Sequence, residues 1–153
     1  MSRVEKLCAA CELFSLALKE IPGKASETLG QSCAGVRSFV ATAREGTPKP
    51  TPSQLAAGLE QGWREVLDSL SGFPKEWRPA VAKAWFSATE RAYPEFMANE
   101  ERRLAKVLQR GRIRTEAEFY RVRHEIDVLE GQPDRQAELQ RLYSIIGDFE
   151  SRL

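Results

Sequence analysis

Three cysteines, one histidine and a run of cations are the residues whose types and spacing could do chemistry. Cys8-Ala9-Ala10-Cys11 sets two thiols at i and i+3, able to share a helix face, and Cys33 falls on the next predicted helix. With His124, the sole histidine, they would make a Cys₃His zinc set. The spacing argues against it, because structural zinc pairs sit on knuckles or loops and His124 is remote in sequence. Free cysteine behaves as a small, usually buried hydrophobe, so a core role is expected for Cys8, Cys11 and Cys33, with no metal and no cofactor. A redox or metal role is the alternative reading. Acid–base catalysis has little to work with: the carboxylates are scattered at helical spacing from arginines. Gly30-Gln31-Ser32-Cys33-Ala34 lacks the second glycine and the preceding strand of a nucleophile elbow. No phosphate-cradling loop is present either. The expectation is a protein that is not an enzyme.

Charge gives the stronger signal. Arg102, Arg103, Lys106, Arg110, Arg112 and Arg114 fall within thirteen residues that contain no acid. Arg102, Lys106 and Arg110 stand at i, i+4 and i+8, so three cations share one helix face. Arginine presents a planar fork of donors suited to carboxylates on a partner protein. Tyr120 with Arg123 adds the composition of a protein–protein hot spot, and Arg121 lies between them. These eight residues, Arg102, Arg103, Lys106, Arg110, Arg112, Arg114, Tyr120 and Arg123, are the predicted partner-binding set. Two other readings compete. Cations gather at helix C-termini because the macrodipole favours them there. Such a stripe also suits nucleic acid, although no aromatic residue interleaves it as single-strand binding would require.

The elements that must position these residues are helices. Thr115-Glu116-Ala117-Glu118 reads as a capping box opening a helix with Phe119, Val122, Ile126 and Leu129 on one face. Gly131-Gln132-Pro133 is expected to stop it, glycine taking the left-handed conformation, and to start a second helix with Leu139, Leu142, Ile146, Phe149 and Leu153 inward. Leu129 with Leu139, Ile126 with Leu142, Val122 with Ile146 and Phe119 with Phe149 share one index sum, as partners in an antiparallel hairpin must. Two helices alone cannot bury enough surface, so residues 115–153 need a further element to lie against.

Upstream, residues 2–21 read as a helix with Val4, Leu7, Cys11, Phe14 and Leu18 inward. A second helix from about Ser26 to Gly46 carries Leu29, Cys33, Val36 and Val40. Thr47-Pro48-Lys49-Pro50 reads as a stiff, extended connector. Thr51-Pro52-Ser53-Gln54 is another capping box, for a helix with Leu55, Leu59, Trp63, Val66 and Leu70 inward that stops by Gly72. A helix from Arg78 or Pro79 presents Val81, Trp85 and Ala88 until Pro94 breaks it at Tyr93. Another runs from about Glu95 to Arg110. Trp63 and Trp85 are expected in the core, and Trp77 as a half-buried lid or an exposed contact. The fold class is all-α: a single-domain bundle of about six or seven helices, comprising an N-terminal pair (1–46), central helices (51–110) and the C-terminal hairpin (115–153).

Composition bounds the rest. The chain has 153 residues, 29% charged and 42% hydrophobic, as an ordinary globular domain does. A net charge of +1 supplies no global field toward nucleic acid or acidic lipid. No apolar run approaches the ~18 residues of a membrane span. Glu5 and Glu12 interrupt Arg3 and Lys6, unlike a signal peptide. The odd cysteine count argues against a disulfide framework, and a cytoplasmic location is expected.

The segment Gly111-Arg112-Ile113-Arg114-Thr115-Glu116-Ala117-Glu118-Phe119-Tyr120, with Arg123, Ile126-Asp127 and Leu129-Glu130-Gly131, resembles the C-terminal hairpin of small bacterial immunity-like proteins of polymorphic-toxin and contact-dependent-inhibition systems. The resemblance implies a stoichiometric inhibitor that occludes a cognate toxin and does no chemistry. It carries over no binding residues. Inhibitors of nuclease toxins are often acidic, which this chain is not. The alternative from a different class is a nucleic-acid-associated regulator using the basic stripe 102–114.

Overall fold

The first helix starts where the sequence offers a reciprocal cap. In the computed structural model, which describes residues 1–130 and 132–153, the Ser2 hydroxyl accepts from the Glu5 amide, and Glu5 accepts from the Ser2 amide. Helix α1 then spans Arg3–Leu18, followed by α2 (Lys24–Ala34), α3 (Val36–Arg44), α4 (Pro52–Asp68), α5 (Arg78–Ala92), α6 (Met97–Arg110), α7 (Glu116–Leu129) and α8 (Gln136–Ser151). Short 3-10 turns lie at Leu70–Gly72, Lys75–Trp77, Pro94–Phe96 and Pro133–Arg135, and there is no strand among the described residues. The protein is all-α. Its helices number eight among the described residues because the expected 26–46 helix is two. At Gly35 the backbone leaves the helical region, with φ −88° and ψ 9°. Glycine makes that departure cheap, being a poor helix former. The helix opened by Thr51 has its full capping box. The preceding connector is non-helical, with a cis Thr47–Pro48 bond.

The chain divides into two compact units, Met1–Phe96 and Met97–Leu153. In the first, α1 is the hub, packing against α2, α3, α4 and α5. Its core is aromatic. Phe14 meets Trp63 edge-on at 5.4 Å, Trp63 stacks on Trp85 at 5.4 Å, and Trp85 meets Phe86 at 5.0 Å and Phe96 at 6.0 Å. Buried indole N–H groups need acceptors, and both find them. Trp63 Nε1 donates to Thr89 Oγ1 (3.0 Å), Thr89 Oγ1 donates to the Trp85 carbonyl (2.7 Å), and Trp85 Nε1 donates to the Trp63 carbonyl (2.9 Å). Glu60, also buried, accepts from Arg3 Nε at 2.8 Å and from Tyr93 OH at 3.2 Å. Trp77 is half-buried in its 3-10 turn.

The second unit answers what the hairpin lies against. Leu104 and Val107 of α6 and Ile113 of the following turn join Val122, Ile126, Leu129, Leu139, Leu142, Ile145 and Ile146 in one apolar cluster, with Leu108, Phe119 and Phe149 at its edge. All eight residues of the four proposed pairs are in it, and the outermost pair, Phe119 and Phe149, has ring centroids 5.5 Å apart. One expectation fails here, and one core residue goes unforeseen. Leu153 is 84% exposed, because α8 ends at Ser151 before the face can extend to it. Ile145, unassigned by the 3-4 spacing, is buried instead. Gly131, expected to take a left-handed turn, lies outside the described residues. Gly111 does adopt that conformation, with φ +78°, and ends α6 with its amide donating to the Val107 carbonyl at 2.8 Å.

Candidate protein-contact surface

The basic run occupies α6 and the turn into α7, and its members have different fates. Leu104 and Val107 face the core of α6, which throws Arg102 and Lys106 onto the opposite, exposed face. Neither makes an ion pair or side-chain hydrogen bond among the described residues. Arg112, Arg114 and Arg123 are likewise exposed, with side chains that make no ion pair or hydrogen bond among the described residues, Arg123 acting on the Tyr143 hydroxyl through its charge alone. These five cations are available to a partner.

Arg110 is not. Its Nε donates to the Arg112 carbonyl at 2.9 Å, and its Nη2 donates to the Glu118 carboxylate at 2.5 Å. The Thr115 capping box is therefore only half formed. Thr115 Oγ1 accepts from the Glu118 amide at 3.1 Å, but the Glu118 carboxylate reaches one residue further back, accepting from the Arg114 amide at 2.7 Å. A carboxylate with a guanidinium within reach takes that stronger partner together with a free amide. Burial pushes the Glu118 carboxyl up, yet the Arg110 guanidinium and the Arg114 and Thr115 backbone amides outweigh it and hold the group below the usual carboxylate range. Arg110, Arg112 and Glu118 thus form a clasp that fixes the turn between α6 and α7. Arg103 is half-buried and pairs with Glu100 at 3.4 Å.

Tyr120 and Arg121 turn inward as well. Tyr120 is only 8% exposed, and its ring meets Phe119 edge-on at 5.1 Å. Of the predicted set, it offers the least exposed area. Arg121 is 3% exposed, donating through Nε to the Glu100 carbonyl and through Nη1 to Glu125, both at 3.1 Å. Periodicity hid this, since Arg121 sits one position off the apolar seam. The i, i+4 spacing to Glu125 was the available signal. On α8, Tyr143 stays exposed and its hydroxyl donates to Glu130 at 2.8 Å.

Cys8 and Cys33 are buried and Cys11 is half-buried, all three as free thiols. No three His, Cys, Asp or Glu side chains converge as a metal site would need, among the described residues. In the first unit, α1 and α2 wall a groove of about 660 Å³ lined by Glu12, Leu16, Lys19, Ile21, Glu27 and Gln31, among others. Among the described residues no helix is long and apolar enough to cross a membrane. No family model, curated protein or solved structure matches the chain.

Proposed function

We propose that the protein is a non-enzymatic binding protein that neutralises a cognate bacterial toxin by stoichiometric contact, using the outer face of α6 and the start of the hairpin. One observation carries the surface assignment. Arg102, Lys106, Arg112, Arg114 and Arg123 are exposed and make no ion pair or side-chain hydrogen bond among the described residues, while Arg110, Arg103 and Arg121 are engaged within their own unit. Unpartnered arginines on a helical face suit carboxylates of a protein partner. The likeness of the hairpin segment to immunity-like proteins supports the toxin as that partner. Occlusion of the toxin's active site by a helical surface then suffices, and no group on this chain has to react.

The test is titration calorimetry against a candidate toxin domain, at low and high salt, with duplex DNA titrated in parallel. The proposal expects saturable one-to-one binding to the protein that survives the higher salt. Binding to DNA alone, with affinity falling steeply as salt rises through counterion release, would replace it with a nucleic-acid-associated role.

A further inference from the structure

We infer, resting on the protein-contact reading of α6, that Arg110 is a carboxylate-binding subsite which Glu118 fills in the free protein and yields to an acidic partner. Arg102, Lys106 and Arg110 stand at i, i+4 and i+8 on α6, so the row climbs ~6 Å per step along one face. The first two are exposed and make no ion pair or side-chain hydrogen bond among the described residues. The third already holds a carboxylate. Glu118 Oε1 accepts from Arg110 Nη2 at 2.5 Å and from the Arg114 amide at 2.7 Å. A carboxylate therefore fits this place, received by a guanidinium and a backbone N–H together. Arg110 Nε is tied separately to the Arg112 carbonyl at 2.9 Å, a bond that does not depend on Glu118. The pair is within a partner's reach, the two side chains being 24% and 21% exposed.

Glu118 has a second berth. Thr115 is the N-cap of α7, and Glu118 stands three residues on, where a complete capping box returns its carboxylate to the N-cap amide. The other two boxes of this chain do so: Glu5 accepts from the Ser2 amide at 3.2 Å and Gln54 from the Thr51 amide at 2.9 Å. At Thr115 the carboxylate sits one residue further back, on the Arg114 amide, while the Thr115 amide already helps to hold the carboxyl down. Moving Glu118 onto the Thr115 amide completes the box, frees Arg110 and the Arg114 amide, and strands no charge. The row Arg102, Lys106 and Arg110 is then continuous. Glu118 acts as a built-in competitor, favoured by its high local concentration over any single acid. A partner that sets several carboxylates along the row engages Arg102 and Lys106 at the same time and displaces it, which raises selectivity for densely acidic surfaces.

The experiment titrates the full chain with poly-L-glutamate by calorimetry at low salt. Because that probe is not the toxin, failure of the toxin reading and failure of this subsite give separate results. Glu118→Gln keeps a residue able to cap, as Gln54 does, and circular dichroism checks its folding. It should bind the probe about fivefold more tightly than the wild type or better, since the fraction of molecules with Arg110 free no longer limits affinity. Glu101→Gln removes the same charge from an exposed position on α6 beside Arg102 and should give a smaller gain. In an Arg110→Gln background the gain from Glu118→Gln should vanish. In the wild type, the Thr115 amide proton should move downfield in NMR spectra as the probe saturates the face and Glu118 arrives on it. Any of four results overturns the inference: no gain in Glu118→Gln, an equal gain in Glu101→Gln, a gain that persists with Arg110→Gln, or a Thr115 resonance that stays in place.

Discussion

The two compact units solve the same packing problem with different chemistry. Met1–Phe96 centres on stacked and edge-on aromatic rings whose buried N–H groups are closed into a hydrogen-bonded loop through Thr89. Met97–Leu153 centres on aliphatic side chains, with arginines reaching to carbonyls at its edges: Arg121 to Glu100, Arg152 to Ile113 and Arg141 to Leu108. An aromatic core buries much area per residue but must answer for each polar ring atom. An aliphatic seam has no such debt of its own, and the unit's buried polar groups, Arg121 and Glu100, lie beside it, with Arg121 donating to the Glu100 carbonyl and to Glu125. The comparison teaches where each unit should be fragile: the first at single hydrogen-bonded rings, the second at layers of the seam and at the clasp of its first turn.

The largest effect should come from the aromatic centre. Trp85→Ala is expected to cost about 3–5 kcal/mol, since it removes a fully buried ring that touches three others and leaves a cavity. Chemical denaturation measures this, and a loss under a kilocalorie would mean that the stack is not the core of its unit. In the aliphatic unit, Ile126→Ala and Ile146→Ala should each cost about 2–5 kcal/mol. If only one of the two does, the shared layer proposed for the hairpin is wrong.

A sharper distinction comes from a nearly isosteric change. Thr89→Val keeps the shape but removes the acceptor for Trp63 Nε1, leaving a buried N–H unmet at a cost of about 1–3 kcal/mol. The matching change in the second unit is Glu118→Gln, expected to cost about 1–2 kcal/mol at neutral pH by weakening charge-assisted hydrogen bonds to Arg110 and the Arg114 amide. Because the folded-state group is held below its unfolded value, this contribution is present above the unfolded carboxylate range, near pH ~4.3. It is lost as pH falls through the folded value. Denaturation at neutral and acid pH should therefore show the wild type and Glu118→Gln converging in acid, whereas the Thr89→Val difference stays constant. A pH-independent Glu118→Gln effect would remove the clasp.

Legibility in the sequence followed the same division. The seam of the hairpin could be read because aliphatic residues at 3-4 spacing report one face, and antiparallel partners share an index sum. The Thr51 cap and the break before Pro94 were equally local, each fixed by a few adjacent residues. What the hairpin rests on was not legible, since the facing of α6 is a long-range choice that its own period leaves open. The Gly35 break was missed because a glycine inside an apolar pattern is tolerated by many helices. The candidate surface was half legible. Charge spacing located the cations, but not which of them fold back. Arg110 and Glu118 lie eight positions apart across a turn, and Tyr120 and Arg121 depend on packing beyond their own helix.

That split among the arginines is the central claim, and one comparison tests it directly. Arg102, Lys106 and Arg114 should be reversed to glutamate together in one variant, and Arg110 alone in a second. Both are then titrated by calorimetry against the candidate toxin domain, with thermal melting recorded in parallel. The account predicts that the triple variant melts as the wild type does, because exposed unpaired charges contribute little to folding. Its affinity should fall about tenfold or more, because like charges would then face the partner. The Arg110→Glu variant should show a lowered melting temperature, from loss of the clasp with Glu118. Unchanged affinity in a folded triple variant, or unchanged melting in Arg110→Glu, would contradict the assignment of free and structural cations.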